Sequence, residues 1–100
     1  MRVTVLHVPD CPGLDPLLDR LHSLLSGRDD VLVETTVVAS PETAARFNFQ
    51  GSPTLLIDGV DPFPSPNGVP GLACRIYPGG DEEGRIPSLS KLAAALQADD

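Results

Sequence analysis

The sequence predicts an α/β domain with element order β-α-β-α-β-β-α, a four-stranded mixed sheet and helices on both faces. Three observations lead there. Short β-branched or apolar runs recur at 2–8, 31–38, 54–58 and 72–77. Between the first two lies a leucine stripe of helical period. Clusters of Gly and Pro mark the joins. Helices interleaved with strands in this way cover both faces of a sheet. The 100 residues suit one domain, 1–100, and a chain of this size buries roughly 60–70% of its extended surface, enough for one modest core.

Each element has its own reason. RVTVLHV at 2–8 is nearly continuous in apolar and β-branched residues, the pattern of a buried strand. The turn cluster PDCPG follows. Leu14, Leu17, Leu18, Leu21, Leu24 and Leu25 then share one face of a helix that Gly27 ends. VLVETTVV at 31–38 is the second strand. Ser40 is placed to cap a short helix over about 41–48, with Pro41 at its first position and Glu42 in its first turn. The strand-helix-strand order makes the first two strands parallel. After Gly51-Ser52-Pro53, TLLID at 54–58 is the third strand. Residues 59–71 hold four prolines and three glycines and form no regular element. LACRIY at 72–77 is expected to pair antiparallel with TLLID as the fourth strand. A last helix runs from about Ser88 to Gln97, with Leu89, Leu92, Ala93 and Leu96 at helical spacing.

Composition narrows function. Seven basic residues face 14 acidic ones, for a net charge of -7, and Lys91 is the single lysine. Phosphate neutralisation needs basic clusters, which argues against a nucleic-acid partner. No run approaches the roughly 20 apolar residues of a membrane span, and the first residues lack the long apolar region of a signal peptide. The expectation is a cytoplasmic protein with no membrane partner, where thiols stay reduced. Two cysteines build neither a disulfide framework nor a four-cysteine zinc site. No glycine loop for phosphate and no His/Cys spacing for a metal is present, so no cofactor or metal is expected.

Cys11 is the first chemical candidate. It falls between the first strand and the leucine helix, where unpaired N–H groups and the helix dipole favour a thiolate. Pro9, Pro12 and Gly13 stiffen that turn. Neighbouring Asp10 works against the thiolate. The alternative is a turn cysteine without a role. Pro53 is the second candidate, because a proline opening a strand serves a specific turn when its bond is cis; the alternative, which this residue taken alone favours, is an ordinary trans proline starting a strand. His7 reads as a packed or partly exposed strand residue rather than a thiolate partner, and His22 as a solvated helix residue.

Cys11-Pro12-Gly13-Leu14, Ser52-Pro53-Thr54 and Gly79-Gly80 together resemble the thioredoxin-like fold, over nearly the whole chain. In that family a cysteine motif opens the first helix, and a cis-proline opens the strand after the second helix. The resemblance implies catalytic roles for Cys11 and Pro53. It implies substrate contacts for Pro12, Ser52 and Thr54, the last two through backbone hydrogen bonds to an extended partner. Leu14 stands where the family's second cysteine of C-x-x-C would be, so a monothiol protein is expected, with thiol–disulfide exchange at Cys11. GSPTLLIDGVDPF and LACRIY further resemble small bacterial thioredoxin-family proteins, some of them called alkylmercury-lyase-like. The partner expected is a protein or low-molecular-weight thiol. The competing reading is a non-catalytic binding module of the same fold, for a soft metal of the mercury type or for another protein. Cys74 reads first as a buried strand cysteine, and as a second thiol or metal ligand only if the proline-rich loop shifts its strand. An ordinary fourth strand would carry it roughly 15 Å from the glycine end, beyond the Cα separation of about 7 Å that a disulfide tolerates.

Overall fold

The computed structural model describes residues 1–63, 72, 75–77, 79–81 and 84–97. Six elements follow in order: β1 (Arg2–His7), α1 (Leu14–Leu24), β2 (Leu32–Val37), α2 (Pro41–Arg46), β3 (Thr54–Ile57) and α3 (Leu89–Gln97). The sheet has three strands in the order β2-β1-β3. β1 pairs parallel with β2, from Arg2 opposite Leu32 to His7 opposite Val37. It pairs antiparallel with β3, with Val5 opposite Leu55 and Val3 opposite Ile57.

Alternation along β1 sends its side chains to two separate clusters. Val3 and Val5 join Leu55 and Ile57 of β3, Leu17 and Leu21 of α1, Ile86, and Leu92 and Leu96 of α3. Leu6 joins Val38, Ala44 of α2 and Phe49. Thus α1 and α3 cover one face and α2 the other. α1 starts without a side-chain cap, its N-cap being Gly13, which forgoes only about a few tenths of a kcal/mol, since glycine is itself a tolerated N-cap. Full burial of Leu17 and Leu21, at roughly 2 kcal/mol each, more than offsets that. α2 has little apolar face and leans on its cap instead. The Ser40 hydroxyl accepts from the Thr43 N–H at 3.2 Å, and Pro41 opens the helix. The Ser88 hydroxyl likewise accepts from the Lys91 N–H, at 3.3 Å.

The four-stranded sheet expected from the sequence is corrected to three strands. Arg75–Tyr77, the described part of the supposed fourth strand beyond Leu72, is not paired with β3. Its backbone bonds go elsewhere. The Arg75 N–H donates to the Ser52 carbonyl at 3.0 Å, and the Tyr77 N–H to the Gly84 carbonyl at 2.7 Å. The far end of β3 is closed by its own turn, with Ile57 and Val60 exchanging hydrogen bonds at 2.8 and 3.0 Å. The N–H groups of Ile57, Arg75 and Tyr77 are thus bonded outside any fourth ladder with β3. No described helix is long and apolar enough to cross a membrane.

Candidate functional site

Two turns meet at one end of α1. The first is 8–13, between β1 and α1. Asp10 takes a left-handed conformation there, with φ of 58°. Cys11 follows as a half-buried free thiol, and Pro12 is exposed. The Cys11 carbonyl accepts from the Leu14 N–H at 3.3 Å, so the cysteine sits three residues ahead of the helix rather than at its cap. Leu14 packs against the larger apolar cluster. His7 is buried and its Nδ1 donates to the Val8 carbonyl at 3.0 Å, whereas His22 is exposed on α1.

The second turn is Gly51–Thr54, which leads into β3. The Ser52–Pro53 bond is cis. Pro53 is fully buried, and its ring faces the first turn. A Cβ placed on Gly13 would lie 3.1 Å from Pro53 Cδ and 3.3 Å from the Arg85 carbonyl. Gly13 is therefore glycine by packing, and its closeness brings the Cys11 turn and Pro53 together.

The residues around Pro53 are occupied within the chain. The Ser52 hydroxyl accepts from the Val8 N–H at 3.0 Å, which ties the two turns directly. The Ser52 carbonyl accepts from Arg75 as described above. The Thr54 hydroxyl donates to the Gly51 carbonyl at 2.5 Å. Tyr77 donates its hydroxyl to the Pro53 carbonyl, also at 2.5 Å. Ser52 and Thr54, expected as substrate contacts, are each only 2% exposed.

Behind this turn lies a buried polar cluster that sequence reasoning missed. Arg75 is 5% exposed. Its guanidinium contacts the Asp61 carboxylate at 2.8 Å and donates to the Phe63 carbonyl. It reaches the Thr54 hydroxyl at 3.4 Å and lies over the Tyr77 ring, 4.7 Å from the centroid. Phe63 meets the same ring edge-on, with centroids 5.8 Å apart. Burial pushes the Tyr77 phenol well above its ordinary range. Arg75 pulls it down, while negative charge at Asp61 and at Cys11 adds to the upward push. One signal was available in the sequence: an arginine inside the apolar run LACRIY demands a counter-charge if that run is buried.

Among the described residues no group of three or more His, Cys, Asp or Glu is placed to hold a metal ion. Cys74 lies outside the described residues, as does most of the proline-rich loop. No family model, curated protein or solved structure matches the chain.

Proposed function

We propose that the chain is a monothiol redox protein with a thioredoxin-like arrangement, in which Cys11 carries thiol–disulfide exchange with a protein or low-molecular-weight disulfide. The observation behind this reading is the meeting of the two turns: a half-buried free thiol lies two residues from Gly13, which packs on the Pro53 ring. In the exchange, the Cys11 thiolate attacks one sulfur of the partner disulfide. The partner's S–S bond breaks, a Cys11–partner bond forms, and the second sulfur leaves as a thiolate that takes a proton from solvent. With Leu14, packed against the apolar cluster, in place of a second cysteine, the adduct is resolved by an external thiol. A bacterial, cytoplasmic setting with no nucleic-acid or membrane partner belongs to the same reading.

One observation favours the second reading, a binding module of the same fold without turnover. Ser52, Pro53 and Thr54 are buried and their polar groups engaged, so an extended partner finds few free hydrogen bonds there. One experiment separates the two. The intact chain is treated with a small aromatic disulfide, and the adduct is located by peptide mass mapping. Exchange expects an adduct on Cys11, formed faster than on an unstructured cysteine peptide and absent in Cys11→Ser. An adduct confined to Cys74, or a Cys11 rate no higher than the peptide's, overturns it and leaves the binding module.

A further inference from the structure

We propose that Arg75 and Tyr77 are positioning residues for the proline turn, holding it against the Cys11 turn. The inference rests on the thiol–disulfide reading of Cys11. Together the two residues touch every position from Gly51 to Thr54. Gly51 has φ of 122° and lies so close to Arg75 that a Cβ there would sit 2.9 Å from Arg75 Cα. The Arg75 N–H holds the Ser52 carbonyl, the Tyr77 hydroxyl holds the Pro53 carbonyl, and Arg75 Nη1 reaches the Thr54 hydroxyl.

The clamp is itself braced. Asp61 and the Phe63 carbonyl fix the guanidinium, and the guanidinium and Phe63 fix the Tyr77 ring from two directions. A planar guanidinium can serve several acceptors at once, which an ammonium cannot reproduce in the same geometry. The Pro53 ring in turn meets Gly13, so a shift of the proline carbonyl moves the ring that packs on the Cys11 turn. Neither side chain takes part in the sulfur chemistry. Their effect is on where a bulky partner meets Cys11.

Tyr77→Phe is the discriminating variant, because it deletes the hydroxyl and keeps the ring contacts with Arg75 and Phe63. Arg75→Lys is the second, keeping the charge and losing the fork. Two rates at Cys11 are compared in the full chain, each located by mass mapping: alkylation by iodoacetamide, and exchange with a peptide disulfide. The expected result is peptide exchange slowed about ten-fold in Tyr77→Phe, with alkylation within about two-fold of wild type. Arg75→Lys shifts the same ratio in the same direction. Equal exchange rates in variant and wild type overturn the proposal. So does a parallel fall of both rates, or loss of fold in both variants, since these assign the pair to stability alone. A wild-type chain that fails to exchange at Cys11 marks a different failure, that of the exchange reading itself, and the inference falls with it.

Discussion

Two buried regions sit a few residues apart along β3. Toward α1 and α3, Leu55 and Ile57 join Val3, Val5, Leu17 and Leu21 in an apolar cluster. Just before them, Gly51–Thr54 borders Arg75, Asp61 and Tyr77, a cluster held by directed bonds. In the first, many side chains contribute similar, non-directional amounts, and the loss of one is felt in proportion to the carbon removed. In the second, each member has named partners, and the loss of one strands another. The difference teaches that the stable part of this fold and the precisely arranged part are separate pieces of chain.

The largest effect expected on the apolar side is from Leu21→Ala. Leu21 is fully buried, and its truncation should lower stability by about 3–4 kcal/mol, read as a shift in the urea midpoint. On the polar side the effect should be asymmetric. Asp61→Ala leaves the buried Arg75 guanidinium without its counter-charge and removes the acceptor for the Phe63 N–H, at a cost of about 3 kcal/mol. Arg75→Met leaves a carboxylate that still reaches water, its side chain being 23% exposed, and should cost less. Should Arg75→Met prove the more damaging of the two, the cluster is held by packing, and the contrast between the regions disappears.

The next effect isolates Tyr77. Burial raises its phenol pKa above the unfolded value of about 10. Below that pH the phenol is neutral in both states and contributes no pH dependence. Above it the unfolded chain loses the proton first, so stability falls by about 1.4 kcal/mol per pH unit until the folded phenol ionises too. The quantity to measure is the difference between wild type and Tyr77→Phe, since other groups titrate in both. The chain holds one tyrosine and no tryptophan, so phenolate absorbance reports this residue alone. Phenolate appearing near the ordinary value in the folded chain would place Tyr77 in contact with water and remove it from the cluster.

The same division explains what was legible in the sequence. Leucines at three- and four-residue spacing from Leu14 to Leu25 announced α1, and β-branched runs announced β1 and β2, because periodicity is repeated and tolerates errors. Cys11 and Pro53 stood out by residue type and by their places between elements. The fourth strand was misread because LACRIY has strand composition, while its outcome depended on where single N–H groups found acceptors. Arg75 takes Asp61, 14 positions back, and Thr54, 21 back. Tyr77 takes Pro53, 24 back. No local pattern encodes such pairings. The occupied state of Ser52 and Thr54 was hidden for the same reason, since their partners Val8 and Arg75 lie 44 and 21 positions away.

The smallest effect makes the comparison within two adjacent residues. Arg20 precedes Leu21 on α1, yet it points outward to Asp81 at 2.7 Å and to the Pro87 carbonyl at 3.0 Å. Its side chain is 24% exposed and that of Asp81 51%, so water screens the pair. Arg20→Gln should therefore cost no more than about 1 kcal/mol, and part of the wild-type advantage should vanish at high salt. Leu21→Ala should cost several times as much and be insensitive to salt. The measurement is the urea midpoint of both variants at low and high ionic strength. A loss for Arg20→Gln that matches Leu21→Ala would mean that the segment from Asp81 to Pro87, which includes buried Ile86, is held to α1 by this one arginine. The apolar face would then depend on a directed bond as much as the proline turn does.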